Sequence, residues 1–305
     1  MARIVSLSIT LDGMPEYGAR LGLPLDSLHL SPEELDPIYG KAWPRALRFL
    51  ARHDLNATIF PLGKYLGGQI QTALLRETIA CGHEIGNYTS SGILEFGRLS
   101  PEEAAKELQR GEEALQEAAS YQPRGLCIPG RQGASLVAPY LKTKGYLYDA
   151  TAMALPAVAA LGLGATQLLR KLGLQLPVFA SEPQALWAAT APGPIEPGFP
   201  LWSLPVSAVP GLRVPLCGAV LSTLGPTRAA WLSPLFRRQN FVHVTCNGLD
   251  FLAPEELSDE VKARTPYLKT PLEEREDLLA KTLSTLLDGA TLLPLVDAYA
   301  ALRSH

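Results

Sequence analysis

The feature that most narrows the fold is a repeated change of hydrophobic period. Five short β-like runs, Ile4–Leu11, Ala57–Pro61, Glu84–Tyr88, Gly125–Ile128 and Tyr146–Asp149, alternate with stretches whose apolar residues recur three and four apart. Helices are expected near Trp43–His53, Gln69–Cys81, from Ser100 to about Ser120, and over Ser135–Lys144. Ser31-Pro-Glu-Glu34 and Ser100-Pro-Glu-Glu103 share one start signal: a capping hydroxyl, proline at the first helical position and acids in the first turn. A strand joined to the next strand by a helix returns to the same edge of the sheet, so the pairing must be parallel. Sites in parallel α/β sheets lie at the carboxyl ends of the strands. Those ends carry Asp12-Gly13, Asn87-Tyr88, Pro129-Gly130 and Asp149.

At 305 residues the chain is long enough for two ordinary domains or one α/β barrel. The alternation is interrupted by an apolar insertion at about 150–176 and a Pro-rich loop region at about 177–215. From Ala150 to Leu169 no residue is charged. Twenty such residues could span a bilayer, but Pro156, Gly162, Gly164, Thr166 and Gln167 weaken that reading. An interfacial or substrate-facing insertion and a buried or partner-packed one remain open. Beyond it, Phe241–Cys246 reads as a strand, Pro271–Asp288 as a helix and Thr291–Pro294 as a closing strand before a short terminal helix.

Several function classes drop out. A net charge of −3 offers no basic stripe for phosphates, so no nucleic-acid partner is expected. The four cysteines, Cys81, Cys127, Cys217 and Cys246, are widely spaced, which suits a reducing compartment. No signal peptide is apparent, so a cytoplasmic location is expected, with peripheral membrane contact open through the apolar insertion. There is no GxSxG elbow, GxxxxGK[ST] loop or HExxH helix, and Gly162-Leu-Gly164 lacks the third glycine of a dinucleotide fingerprint because Gln167 stands there. Only five histidines occur, at 29, 53, 83, 243 and 305.

The strand ends, taken in order, resemble the polysaccharide deacetylase family, the NodB homology domain of carbohydrate esterase family 4. Gly82-His-Glu-Ile-Gly-Asn-Tyr-Thr-Ser-Ser-Gly92 is similar to the family's GHEIGNHTxxH segment with both histidines replaced. Thr10-Leu-Asp12-Gly13 resembles its TFDD motif with only the first aspartate kept. Gly125-Leu-Cys-Ile-Pro-Gly130 stands where the family has FRxPxG, with Cys127 in the arginine's place, and Gly145-Tyr-Leu-Tyr-Asp149 matches the next strand. Asn247-Gly-Leu-Asp-Phe-Leu252 resembles an HGxDFL segment of one branch, with Asn247 at the catalytic histidine. The resemblance implies a bacterial protein with an α/β fold, a distorted (β/α) barrel, seven-stranded and NodB-like, as a single domain over 1–305.

In that family an aspartate and two histidines hold a metal, a preceding aspartate is the base and a distal histidine the acid. The resemblance places the three metal ligands at Gly13, Tyr88 and Gly92, none of which is a normal zinc ligand. No metal site is therefore expected and the family's zinc is expected to be lost, with it the activated water that serves as nucleophile. Asp12 remains the candidate catalytic base, although an aspartate before glycine at a strand end also suits a turn. Tyr88, Asn87, Cys127, Pro129, Asn247 and Asp250 are candidate substrate-binding residues, and Glu16, Tyr65 and Arg131 are further pocket candidates. His83 reads as structural, and His243, alternating with Val242 and Val244, as a packing or pairing residue.

Three functions stay open: a pseudoenzyme that binds a glycan or glycolipid or partners an active deacetylase, a metal-independent amide hydrolase acting on an N-acylated sugar, and a membrane-surface protein for a lipid-linked saccharide. Homo-oligomerisation is open in each.

Overall fold

The computed structural model describes residues 3–30, 35–129, 135–154, 190–195, 201–236 and 238–304. Along the chain run β1 (Arg3–Leu11), α1 (Met14–Leu21), α2 (Trp43–Arg52), β2 (Thr58–Pro61), α3 (Gln69–Ala80), β3 (Glu84–Ile85), α4 (Pro101–Ala119), β4 (Gly125–Leu126), α5 (Ala138–Lys144) and β5 (Tyr148–Asp149). They are followed by β6 (Gly193–Pro194), β7 (Trp202–Ser203), α6 (Gly218–Phe236), β8 (Phe241–Asn247), α7 (Asp259–Arg264), α8 (Leu272–Leu287), β9 (Ala290–Leu292) and α9 (Leu295–Arg303).

The strands form two sheets, ordered β3-β2-β1-β8, with β9 on the first residues of β1, and β4-β5-β7-β6. Every pairing is parallel except β6 with β7. The sheets meet at two seams. At one, the Asn87 N–H donates to the Gly125 carbonyl at 2.9 Å and the Cys127 N–H to the Asn87 carbonyl at 3.0 Å; at the other, the Ser207 N–H donates to the His243 carbonyl at 2.9 Å. One buried cluster collects Ile4 of β1, Phe60 of β2, Tyr88 beyond β3, Cys127 beyond β4, Tyr148 of β5, Leu204 beyond β7 and Phe241 of β8. Four strands and the segments just beyond three others thus share one buried cluster, in the α/β fold with parallel sheets that was expected.

The central strand shows how sequence sets the two faces. In β1 the odd positions Val5, Leu7, Ile9 and Leu11 join the apolar cluster of the outer helices, while Ser6, Ser8 and Thr10 face the other way, as a period of two requires. Register places Ser6, Ser8 and Thr10 opposite His243, Thr245 and Asn247 of β8. Ser8 Oγ then lies 2.8 Å from His243 Nε2 and donates to Thr245 Oγ1 at 3.0 Å, so these buried hydroxyls are paired rather than orphaned. This is the pairing role expected of His243, whose Nδ1 also lies 3.1 Å from the Leu204 carbonyl.

Several boundaries differ from the sequence reading. The expected strands at 84–88 and 125–128 shrink to two residues each; Phe60 packs so close to Gly86 that a Cβ there would stand 2.0 Å from its ring. Helix α1 was not expected at all, yet it has Pro15 in its first turn and closes on left-handed Gly22. The start signal Ser31–Glu34, Gly130, Arg131 and positions 155–189 of the insertion and Pro-rich region lie outside the described residues. Among the described residues no helix is long and apolar enough to cross a membrane.

Candidate functional site

Strand β1 delivers Asp12, fully buried, to the carboxyl end of the sheet. The chain turns at once into α1, and near the end of that helix Arg20 folds back. Its Nη2 donates to Asp12 Oδ1 at 2.6 Å and to the Tyr88 hydroxyl at 3.3 Å. The Tyr88 hydroxyl donates to Asp12 Oδ2 at 3.1 Å. Aspartate, arginine and tyrosine therefore close a three-membered ring of polar contacts. The Arg20 guanidinium also lies 5.9 Å from the centre of the Tyr17 ring, and the Tyr17 hydroxyl accepts from the Gly248 N–H at 3.1 Å, which ties α1 to the end of β8.

Electrostatics favour this arrangement over chemistry. Burial is the largest influence and works against the Arg20 charge, but Asp12, Tyr88 and Tyr17 together outweigh it and hold the guanidinium protonated more firmly than usual. Burial, then the Asp12 charge, pushes the Tyr88 phenol above its ordinary range, so at neutral pH it serves as a neutral donor. Tyr17 is raised for the same two reasons. A carboxylate held at 2.6 Å by a permanent cation is a poor proton acceptor, since taking a proton would leave a buried arginine without that counter-charge.

The positions that the resemblance assigns to metal ligands are filled. A Cβ at Gly13 would stand 2.1 Å from the Tyr65 hydroxyl oxygen, 2.4 Å from Tyr65 Cζ and 2.7 Å from Glu16 Oε2. Glu16 is itself held: Oε2 accepts from the Gly13 N–H at 3.0 Å and the Tyr65 hydroxyl at 2.9 Å, and Oε1 pairs with Lys64. Tyr65 stacks on Tyr39 with ring centres 4.4 Å apart, and the Tyr39 hydroxyl bridges the Leu11 carbonyl at 2.6 Å and the Leu62 N–H at 2.9 Å. Gly92 adopts φ of +75°, a region that side chains rarely adopt, and a Cβ there would stand 2.9 Å from Leu62 Cδ1 and 3.1 Å from Glu16 Cγ. Among the described residues no three histidines, cysteines, aspartates or glutamates gather as a metal would need. The residues present do not fit the zinc that the resemblance implies.

The other sequence candidates divide. Glu16 and Tyr65 do join Gly13 at the strand-end site. Tyr88 and Cys127 share the interior cluster, and Pro129 is buried one turn of loop further on. Asn247 ends β8 opposite Thr10. Asn87 is wholly buried, with Nδ2 donating to the Leu108 carbonyl at 3.0 Å and the Tyr146 hydroxyl at 2.7 Å and Oδ1 accepting from the Thr89 N–H at 2.9 Å, so the structure occupies it in holding the loop. Asp250 faces Gly218, Cys246 and Arg275 behind β8, and Oδ2 accepts from the Asn247 N–H at 2.9 Å; burial pushes its carboxyl up to about 6. The Ala57 N–H approaches His83 Nδ1 at 3.4 Å, and burial lowers the His83 pKa, in keeping with a structural role. Arg20 was missed altogether, because its only sequence signal is its place at the end of a short helix that was itself unread.

Residues 34–148 match the family model for polysaccharide deacetylase. No curated protein matches the chain. Among solved structures, a provisionally assigned polysaccharide deacetylase from Mycobacterium smegmatis is 17% identical with a TM-score of 0.58, the match covering 100% of this chain and 92% of that one. The Puue allantoinase is 14% identical with a TM-score of 0.59, covering 98% and 90%. A carbohydrate esterase family 4 pseudoenzyme from Bacillus anthracis is 11% identical with a TM-score of 0.46, covering 98% and 66%. At these identities the likeness is one of fold.

Proposed function

Residues 34–148 belong to the polysaccharide deacetylase family, and from that premise we propose that this chain is a pseudoenzyme: a deacetylase-like barrel that has given up metal-dependent hydrolysis and uses its strand-end pocket to bind a glycan or glycolipid. The observation that carries the loss of hydrolysis is the double occupation of the strand-end site. Arg20 and Tyr88 engage both oxygens of the candidate base, while Tyr65, Glu16 and Leu62 fill the space beside Gly13 and Gly92. Without a metal there is no water of lowered pKa, and Asn247 in place of a histidine cannot protonate a leaving amine. The family match supports a glycan class of ligand; partnership with an active deacetylase is the other use such a chain could have.

The Tyr88–Asp12 hydrogen bond favours one second reading, a metal-independent amide hydrolase in which Asp12 is the base and the Tyr88 phenol stabilises an oxyanion. The two readings part in one experiment. Isothermal titration with N-acetylated chitooligosaccharides, paired with a chromatographic assay for released acetate, should show binding without turnover. Acetate release that survives a metal chelator and is lost in Asp12→Asn would transfer the assignment to the hydrolase.

A further inference from the structure

Metal-holding pockets pair their buried carboxylates with a cation, and a carboxylate left buried without one is strongly destabilising. Asp12 is fully buried, and beside it the positions matching metal ligands are glycine, tyrosine and glycine. We propose that Arg20 is a built-in counter-ion, its Nη2 seated between Asp12 and Tyr88 and supplying from within the chain the positive charge that a bound metal supplies in a metal-holding pocket. The inference deepens the pseudoenzyme reading and rests on it for the identity of the metal positions.

Three features of the molecule converge on it. The same nitrogen reaches a carboxylate oxygen of the candidate base at 2.6 Å and the Tyr88 hydroxyl at 3.3 Å, so it lies between the candidate base and a position that the resemblance assigns to a metal ligand. The side chain is 12% exposed, which keeps the pair largely away from screening water. Its helix is fixed at its start and its middle: the Met14 N–H donates to Asp36 Oδ2 at 2.8 Å, and Tyr17 joins it to the Gly248 N–H. The cation is therefore delivered by a rigid element and not by a mobile surface side chain. Arg20 is a positioning residue here, since it acts through Asp12, whose carboxylate it holds.

The test is chemical rescue on the full chain. Arg20→Ala should melt roughly 5–10 °C below the wild type, because it leaves the Asp12 carboxylate without its arginine. Millimolar methylguanidinium, compared with equal potassium chloride, should raise that melting temperature by returning a cation to the vacated space. The wild type and Asp12→Asn/Arg20→Ala should show no such rise, and Arg20→Lys should melt between wild type and Arg20→Ala. An Arg20→Ala protein as stable as wild type, or a methylguanidinium effect of equal size in the Asp12→Asn/Arg20→Ala protein, would overturn the proposal. Should Arg20→Ala fail to fold, the neutral pair Asp12→Asn/Arg20→Met decides: recovery of a folded protein means that the missing element was counter-charge, and failure means that it was packing. Zinc found in the wild-type protein would instead strike at the pseudoenzyme reading and leave these outcomes unchanged.

Discussion

Gly13→Ala is the most economical probe of the filled metal position. The new methyl carbon would lie 2.1 Å from the Tyr65 hydroxyl oxygen and 2.4 Å from Cζ, so the ring has to retreat by more than 1 Å to reach the usual contact of about 3.4 Å or more. The retreat loosens the 2.9 Å hydrogen bond to Glu16, a charge-assisted bond worth about 1.5–3 kcal/mol, and the 4.4 Å stack on Tyr39, worth about 0.5–1.5 kcal/mol. Against this, Gly13 has φ of −75° and ψ of 165°, which alanine adopts freely, and the lost unfolded-state freedom returns about 0.4–1 kcal/mol. The net expectation is a loss of about 1.5–3 kcal/mol. Urea unfolding followed by tryptophan fluorescence and by circular dichroism measures it, with Tyr65→Ala and the double variant completing a cycle. The two substitutions should be strongly non-additive, the double variant being no less stable than Tyr65→Ala, because the clash disappears with the ring. A Gly13→Ala protein within about 0.5 kcal/mol of wild type would refute the view that Tyr65 blocks this position.

Other consequences concern the groups around the site. Burial pushes Glu84 up to about 7, against hydrogen bonds from Tyr148 at 2.7 Å, Thr58 at 2.7 Å and the Val296 N–H at 3.0 Å that favour its charged form. A carboxyl raised on folding binds its proton more tightly in the native state, so its contribution falls as pH climbs from about 4.5 to about 7 and is flat above that. Glu84→Gln should flatten that part of a melting-temperature profile while leaving the window near 4–6, which Asp149, Asp250 and Asp36 share, in place; an unchanged slope between pH 6 and 7 would refute the assignment. Asn87→Ala should cost about 2–4 kcal/mol in denaturant unfolding, since it strips partners from the Leu108 carbonyl, Tyr146 hydroxyl and Thr89 N–H at once, and a cost below about 1 kcal/mol would contradict its place in the loop. Tyr88→Phe removes one hydroxyl from the Asp12–Arg20 ring and should lower stability by about 1–2 kcal/mol without changing glycan affinity more than a few-fold; a larger loss of affinity in titration would place the phenol on the ligand.

The parallel α/β fold was legible because period and punctuation are local: the alternation in β1 and the Ser100 cap of α4 are written within a few residues, and both are present. The short inner strands were overestimated, since the local pattern does not show where pairing with a neighbouring strand stops. That Gly13, Tyr88 and Gly92 stand at the positions matched to metal ligands could be read once the family pattern was set beside them. What replaced them could not. Arg20, Glu16, Lys64 and Tyr65 come together from α1 and the turn after β2, 48 positions apart for Glu16 and Lys64, and only the register of β1 with β2 brings those segments to one end of the barrel. Asn87 shows the converse: a polar residue at a strand end suggested ligand contact, whereas α4 and Tyr146 supply its partners from 21 and 59 positions away.

The most direct test of the central claim is elemental analysis of the wild-type chain, purified without chelator, dialysed against micromolar zinc and then freed of unbound metal. The expected result is far less than one zinc per chain, with a melting temperature that zinc does not move. One tightly held zinc per chain, lost on chelation together with thermal stability, would contradict it.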